Sequence, residues 1–273
     1  MLSILIVNFN TGRWLRDCLD SLFAVLPAGT FEVLVLDNQS HDDSVPQAQA
    51  LGRPVRWTLS DRNLGFANGN NRLVPDARGD FLCLLNPDTT LTADCLTPLM
   101  AYLREHPDAA IAGPHHLGAD GHWQLTFGEP VTLRGEFLYA LDPARFWARY
   151  PADSPAEPLD VAWLAGSCLV MRASLPHDLG GLFDPRFFLN DEDVDLCRRA
   201  RDHGLRCVYV PVRGLIHFGG ASRPFLSDEK RHTFRSRRAY FEKYYPLPGQ
   251  WLFLVANGLR RLRDAVSGLR RRD

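Results

Sequence analysis

The sequence of 273 residues lacks any apolar run as long as the ~18 residues of a membrane-spanning helix. Its most apolar stretch near the carboxyl end, WLFLVANGL at 251–259, is far shorter. The first ten residues, MLSILIVNFN, lack the basic start and the small-residue cleavage site of a secretory leader, so we interpret them as a core strand. These absences predict a cytoplasmic protein that can lie on a membrane but does not cross one.

Paired cysteine motifs are also absent. The six cysteines are scattered without a CxxC spacing, and several lie in apolar runs: Cys18, Cys83, Cys95, Cys168, Cys197 and Cys207. This distribution favours reduced, buried thiols over zinc ligands or disulfides. The P-loop ending Lys-Ser/Thr and the GxGxxG pattern are missing as well, so the usual phosphate-binding signatures do not apply. We find no internal repeat and no low-complexity segment.

The charge is balanced overall but unevenly distributed. The net charge is -1, yet residues 230–273 hold 12 of the 31 Lys and Arg and three of the 32 acids, which makes this stretch +9 and the remainder -10. Such a basic tail suits an anionic partner. Nucleic acid is not expected, because aromatic residues are not interleaved with the basic ones in a recognisable binding module.

Two interpretations of this tail remain open. It can be a solvated helix, or a helix that docks on anionic lipid. In the second case the apolar side comprises Trp251, Leu252, Phe253, Leu254, Leu259 and Leu262, and the basic side Arg260, Arg261, Arg263 and Arg270 to Arg272.

What the sequence does contain is an alternation of apolar strands with helices. Strand-like runs occupy 3–9, 31–38, 55–59 and 80–86, and residues 11–25 have apolar side chains at helical spacing. Continuous apolar strands alternating with helices predict an α/β protein with a mostly parallel sheet covered on both faces. Sheets of this type bind ligands beyond the carboxyl ends of their strands.

The second half is less regular. We predict a long excursion or lid over 115–160, strand structure over 161–172, a helix over 191–204, short strands over 206–211 and 214–220, and then a basic helical tail. The predicted 191–204 helix has acids in its first turn, basic residues in its last turn and Gly204 as its end, all of which match the helix dipole.

Polar residues follow three of the predicted strands: Asn8 and Asn10, Asp37 and Asn38, and Asn86 and Asp88. An amide oxygen and a carboxylate two residues apart suit Mg²⁺ or Mn²⁺ bound together with the phosphates of a nucleotide. Alternatively, Asn86-Pro-Asp88 forms a turn that caps the helix expected near Thr92.

Three further groups have both a functional and a structural interpretation. The acids at 191, 192, 193 and 195 either cap a helix or supply a general base whose pKa is raised by the preceding aromatics. His217 is either a packed structural histidine or a metal ligand beside Asp88, since Gly219 and Gly220 allow a ligand to approach closely. The asparagine-rich loop at 61–73 either makes turns or binds a nucleotide.

Taken together in chain order, seven stretches resemble family 2 glycosyltransferases, particularly the rhamnosyltransferase-like branch. They are VNFNTGRWLRDCLDSL, VLVLDNQSHDDS, NLGFANGNN, LLNPDTTL, WLAGSCLVMR, GGLFDPRFFLNDEDVDLCRRARDHG and IHFGGAS. The resemblance covers about residues 3–223 and implies a GT-A fold over 1–223. In that fold 1–114 is the nucleotide-sugar-binding half, 115–223 is the acceptor-binding half, and 224–273 remains a helical basic tail.

The resemblance also implies roles for individual residues. Asp37 contacts the nucleobase of the donor, and the nucleotide is further held by Asn8, Asn10, Asn38, Asn63 and Asn71. Asp88 occupies the last position of the DxD metal motif, Asn86 stands at its first position and is expected to bind the metal through water, and His217 is an additional metal or diphosphate ligand. Asp193 is the catalytic base with Glu192 as its neighbour, and Trp163, Gly166 and Ser167 match an acceptor-binding motif, although Trp163 alternatively belongs to the core.

The implied reaction is the inverting transfer of a sugar, with rhamnose from dTDP-rhamnose expected, to a glycan or lipid-linked acceptor, with Mg²⁺ or Mn²⁺ as cofactor. A UDP donor of another sugar and a binding-only relative are the alternatives. An aspartyl phosphatase is excluded, because the position of its nucleophile is occupied by Asn86.

Overall fold

The computed structural model describes residues 1–220 and 229–269. The strands are β1 Leu2–Asn8, β2 Phe31–Asp37, β3 Val55–Leu59, β4 Phe81–Leu85, β5 Thr89–Leu91, β6 Ala109–Gly113, β7 His116–Leu117, β8 Trp123–Gln124, β9 Phe127–Gly128, β10 Leu159–Val161, β11 Trp163–Leu164, β12 Cys168–Arg172, β13 Arg206–Tyr209 and β14 Leu215–His217. The helices are α1 Arg13–Val25, α2 Ser44–Gln49, α3 Gly65–Leu73, α4 Leu96–Glu105, α5 Leu133–Leu141, α6 Pro143–Trp147, α7 Leu175–Asp178, α8 Glu192–Asp202, α9 Glu229–Tyr244 and α10 Leu247–Leu269. A short 3₁₀ turn covers Val74–Asp76.

The predicted alternation of strands and helices in the first half is confirmed. β1 is buried along its whole length and pairs in parallel with β2 on one side and β4 on the other. Alternate residues of β1 enter two separate apolar cores, with Ile4 and Ile6 on one face and Leu5 and Val7 on the other. Both faces of the sheet are therefore covered, which explains why its strands read as continuous apolar runs.

The central sheet is mostly parallel. In the described part of the chain its strand order is β10-β13-β6-β12-β4-β1-β2-β3. β12 lies antiparallel between β4 and β6, and β10 is antiparallel to β13. The run predicted as one strand over 161–172 is broken twice. At Ala162 the chain bends from β10 into β11, which pairs with β9 in a separate two-stranded sheet, and at Gly166 and Ser167 it turns before β12.

A second, small sheet lies at the carboxyl end of β4. Its order is β5-β14-β7-β8, and β5 begins directly after Asp88. β14 pairs antiparallel with β5, which places His217 opposite Thr89. The excursion predicted over 115–160 thus contributes the hairpin β7–β8 to this sheet, followed by β9, α5 and α6.

The helical tail is confirmed for α9 and α10, whereas Arg270 to Arg272 and residues 221–228 lie outside the described residues. α9 is not a solvated helix, because Tyr240 and Phe241 are buried in the core. Phe253 of α10 is also buried and stacks on Phe241, so its predicted place on an outer apolar side is wrong. Within the ranges that the structure describes, no helix is both long and apolar enough to cross a membrane.

Candidate active site

Asn8 and Asp37 lie side by side at the carboxyl ends of β1 and β2, where the parallel register makes them direct partners. The Asn8 amide donates to Asp37 Oδ1 at 2.7 Å and to Ser44 Oγ at 2.9 Å, and Asp37 Oδ2 accepts from the Ser40 backbone N–H at 2.9 Å. Asn10, at φ 49°, accepts from the His41 backbone N–H. This edge of the sheet is a connected, buried polar network.

The asparagine-rich loop is fastened to the same edge by Asn38. Its amide donates to the Gly65 carbonyl at 3.0 Å and accepts from the Leu64 N–H at 3.1 Å. Asn63 accepts from the Gly65 N–H and so shapes the entry to α3. Gly65 has φ 79°, and a Cβ there would collide with Phe188, so glycine is required.

Asn71 is engaged elsewhere. Its amide donates to the Phe183 carbonyl at 2.9 Å and accepts from the Phe183 N–H at 2.9 Å, which ties α3 to the chain before α8. Both polar atoms of this side chain are therefore bonded to backbone, and in the structure Asn71 joins two segments of the chain. The nucleotide contact that we predicted for Asn71 stays a prediction.

Asn86, Asp88 and His217 come together where β4 meets the small sheet. His217 Nε2 lies 3.4 Å from Asp88 Oδ1 and 3.5 Å from the Asn86 amide nitrogen. His217 Nδ1 faces Gln124 Oε1 at 3.1 Å, and the Gln124 amide donates to the His217 carbonyl at 2.9 Å. A proton on Nδ1 satisfies Gln124 and leaves the Nε2 lone pair directed at Asp88.

This group has the donor set that Mg²⁺ or Mn²⁺ requires when phosphates complete the shell. With its proton on Nδ1, His217 and the Asp88 carboxylate are two electron-pair donors 3.4 Å apart that can bind one cation. Among the described residues no cluster of three or more His, Cys, Asp and Glu could hold a metal by itself. Asp88, Asn86 and His217 fit a metal whose remaining ligands are substrate phosphates and water.

Two supporting residues, His116 and Gln124, were missed by sequence reasoning. His116 Nδ1 lies 3.0 Å from the Pro114 carbonyl, its Nε2 lies 3.0 Å from Ser167 Oγ, and complete burial lowers the pKa of His116 to about 3. The imidazole is therefore neutral. An Asp-Gly turn at 120–121 between two short strands is the sequence signal that predicts this hairpin.

Asp193 lies at the start of α8 and is held by two backbone donors. Its Oδ2 accepts from the Gly166 N–H and its Oδ1 from the Val194 N–H, both at 2.8 Å. Burial raises the pKa of Asp193, while these two N–H groups oppose the rise. A carboxylate with a raised pKa and a fixed orientation suits a general base.

Asp191 and Glu192 are buried beside it, each with 4% of its surface exposed. Burial raises the pKa of Asp191 to about 6 and that of Glu192 well above its ordinary range. In the described part of the chain, Asp191 Oδ2 and Glu192 Oε2 have no hydrogen-bond partner. Helix capping does not account for these acids, because the structure records no side-chain cap for α8.

Gly166 and Ser167 connect the acids to the group formed by Asn86, Asp88 and His217. The Ser167 carbonyl accepts from the Asn86 N–H at 2.9 Å, while Gly166 donates to Asp193. A Cβ at Gly166 would lie 3.3 Å from the Phe66 ring and 3.6 Å from Asp193 Oδ2, so a larger side chain would crowd Phe66 at this turn. Trp163 is half-buried, with its indole against Gly128.

Comparisons with known proteins show the family and the fold of the chain. The sequence model of Glycosyl transferase family 2 matches residues 3–147. The chain is 32% identical over 296 residues to the N-acetylglucosaminyl-diphospho-decaprenol L-rhamnosyltransferase of Mycobacterium tuberculosis strain H37Rv, covering 99% of this chain and 95% of the relative. It is 25% identical to Rhamnosyltransferase WbbL of Escherichia coli strain K12, covering 89% and 93%.

Solved structures share the fold at low sequence identity. GalNAc-T7, solved with UDP, GalNAc and Mn²⁺, matches with a TM-score of 0.62 at 17% identity over 80% of this chain and 43% of that one. S. aureus TarS 1-349 in complex with UDP-GlcNAc matches with a TM-score of 0.58 at 15% identity, covering 93% and 79%. From the family match, the near-full-length relative and the shared architecture, we conclude that the chain belongs to glycosyl transferase family 2 and has the expected GT-A fold.

Proposed function

We propose that this protein is a metal-dependent, inverting glycosyltransferase that moves rhamnose from dTDP-rhamnose to a lipid-linked saccharide in cell-surface polysaccharide synthesis. The observation that carries the proposal is the link through Gly166 and Ser167 between the half-buried acid Asp193 and the group around Asp88. The near-full-length similarity to a rhamnosyltransferase supports the sugar. A UDP donor of another sugar is the alternative.

The protein's own residues supply binding and proton transfer. Asp37 and Asn8 line the nucleobase end, with Asn10, Asn38 and Asn63 beside them. Asp88, Asn86 and His217 would hold Mg²⁺ or Mn²⁺, which when bound neutralises the leaving nucleoside diphosphate.

Asp193 takes the proton of the acceptor hydroxyl, whose oxygen attacks the anomeric carbon from the side opposite the diphosphate. Configuration is therefore inverted without a covalent intermediate on the protein. Glu192 orients the acceptor, and Trp163, Gly166 and Ser167 border the acceptor site.

Calorimetric titration of dTDP, UDP, GDP and ADP, each with and without Mn²⁺, tests the donor site. We expect dTDP or UDP to bind with an affinity that Mn²⁺ increases, and we expect Asp88→Ala to lose this increase. Asp178→Ala is the matched control, because that side chain is 57% exposed on α7. Absence of nucleotide binding to the wild type under every condition would refute the donor site. Turnover of the preferred donor then separates an enzyme from a binding-only relative.

We also propose that the carboxyl-terminal helix docks on the anionic inner surface of the plasma membrane, where a lipid-linked acceptor resides. Five apolar residues on α10 support this proposal, because they are exposed and recur at intervals of one or two helical turns, which places them on one face: Leu247, Trp251, Val255, Leu262 and Val266. Arg260 and Arg261 lie on the same helix, and cationic side chains favour anionic lipid.

Sedimentation with vesicles of phosphatidylcholine and phosphatidylglycerol at low salt tests the docking. Trp251→Glu with Val255→Glu should reduce binding, because charges replace the apolar contact. Leu59→Glu is the control, since Leu59 is 66% exposed on β3. Equal binding of the wild type and the double variant would overturn this proposal without touching the transferase.

A further inference from the structure

Helix α9 braces the segment that presents the catalytic acids. Lys243 bonds to Asp184 at 2.9 Å and to Asp195 at 2.6 Å, and Ser236 donates to the Leu189 carbonyl at 2.9 Å. Asn190 donates to Thr233 Oγ1 at 2.9 Å. Contacts thus run from one end of the segment 184–195 to the other.

Within this brace, Arg237 lies between two carboxylates from different helices. Its guanidinium is 3.0 Å from Asp191 Oδ1 on the approach to α8 and 3.4 Å from Glu136 Oε1 on α5. The Asp191 side chain is 4% exposed and that of Glu136 15%. A buried carboxylate without a cation is costly, so this contact decides whether Asp191 can be ionised in place.

The backbone at this point is unusual. Asn190 and Asp191 have φ of 68° and 64°, in the left-handed region that residues with a side chain rarely adopt. Such conformations persist where surrounding contacts hold them. Arg237 on Asp191 and Thr233 on Asn190 are contacts of this kind, and Glu192 and Asp193 follow immediately.

We propose that Arg237 is a positioning residue for the proposed transfer reaction: by binding Asp191 and Glu136 it holds the start of α8 and supplies the positive charge that lets Asp193 act as a carboxylate. The inference rests on the proposed function, because it needs Asp193 to be the base. It adds a residue of α9 to the groups that act on the proposed reaction centre.

Without Arg237, the charged side chains around Asp193 would all be acidic. On or beside α8, the titratable groups that face Asp193 are Asp191, Glu192 and Cys197. Arg237 faces it from α9, the Gly166 N–H donates to it, and Glu136 of α5 acts on it indirectly because its charge raises the pKa of Asp191. Of these side chains Arg237 alone is cationic. Its positive charge lowers the pKa of Asp193 against the rise from burial.

The test compares kcat against pH for wild type, Arg237→Gln, Arg237→Lys and Arg238→Gln. Loss of the positive charge in Arg237→Gln should raise the pKa of Asp193. The acidic limb of the kcat profile should therefore shift to higher pH by about one unit. Arg237→Lys should keep the acidic limb of the pH profile near that of the wild type, because the positive charge remains. It should lower kcat, because an ammonium cannot contact Asp191 and Glu136 at once as the planar guanidinium does. Arg238→Gln should leave both unchanged, because Arg238 pairs with Glu242 on the exposed side of the same helix.

A double variant separates charge from folding. Arg237→Gln with Asp191→Asn removes the cation together with one carboxylate, so the acidic limb should return toward that of the wild type. Metal-dependent binding of a nucleoside diphosphate, measured on the same samples, reports that the donor half is folded. If Arg237→Gln retains the kcat and acidic limb of the wild type while Asp193→Asn is inactive, the positioning role is wrong. If Asp193→Asn itself turns over normally, the proposed base is wrong instead.

Discussion

The two ends of the site use the same kinds of residue in opposite ways. At the proposed nucleotide end, Asn8 and Asp37 are buried and bonded to one another and to neighbouring serines. At the proposed acceptor end, Asp191 and Glu192 are equally buried, yet each retains an oxygen that accepts no hydrogen bond within the described chain. The hydrogen bonds of the first arrangement are complete without a substrate, whereas those of the second are not.

This difference indicates which interactions are available for chemistry. A hydrogen-bonded network makes the ends of β1 and β2 rigid, so its side chains need no further ordering when a ligand binds against them. Buried carboxylate oxygens that accept no hydrogen bond raise the free energy of the folded protein, even where the other oxygen is paired as in Asp191, and a substrate hydroxyl can relieve that penalty. The hydrogen bonds at the proposed nucleotide end therefore stabilise the fold, whereas the buried acids at the proposed acceptor end have a raised affinity for protons.

The largest expected effect is on the acceptor end. We expect Asp193→Asn to lower kcat by about 100- to 10,000-fold, the usual contribution of a general base. Nucleoside diphosphate affinity should not change, because Asp193 lies on the far side of the Gly166 turn from Asp88. Single-turnover kinetics together with calorimetry measure both quantities. A parallel loss of nucleotide affinity would show that the two ends are not separate.

A smaller effect should appear in stability against pH. Asp191 has a folded-state pKa of about 6 against its ordinary 3.8, so its contribution to stability is present below pH 4 and is lost as pH rises through 6. Asp191→Asn removes this loss. The difference in unfolding free energy between variant and wild type should therefore shift in favour of the variant by about 2 kcal/mol from pH 4 to pH 7.

Urea unfolding at several pH values measures this difference, and other titrating groups cancel because both proteins contain them. A flat difference across the range would mean that Asp191 is not buried as a costly carboxylate, and the contrast between the two ends would then fail.

The smallest expected effect is at the nucleotide end. Asn8→Ala leaves Asp37 Oδ1 and Ser44 without their donor and should lower the unfolding free energy by about 1–3 kcal/mol at every pH. Asn68→Ala is the matched control, because its amide makes two longer hydrogen bonds, at 3.3 and 3.4 Å. Urea unfolding measures both variants, and equal losses would show that the Asn8 network adds no stability.

The parts of the site that local rules govern could be predicted from the sequence. β1, β2 and β4 are apolar runs that end in polar residues, and parallel neighbours end at the same edge, so Asn8, Asp37 and Asn86 were expected there. The acidic start of α8 was equally visible, because it matches the helix dipole.

The contacts that join these parts depend on long-range packing, which no local pattern reveals. Gly166 reaches Asp193 across 27 residues only because β12 runs antiparallel in the sheet. His116 and Gln124 support the site from two-residue strands that are too short to have a periodicity. Arg237 looked like one more charge in a basic tail, since nothing in the sequence tells an inward guanidinium from an outward one.

The position of β12 also bears on how the chain acquires its shape during synthesis. β6 joins the sheet through β12, which is made later and inserts between β4 and β6. Until residue 172 has emerged from the ribosome, β4 has an open, apolar edge that invites pairing with another nascent chain. We therefore expect a fragment of residues 1–114, the proposed nucleotide-binding half, to aggregate when it is expressed alone.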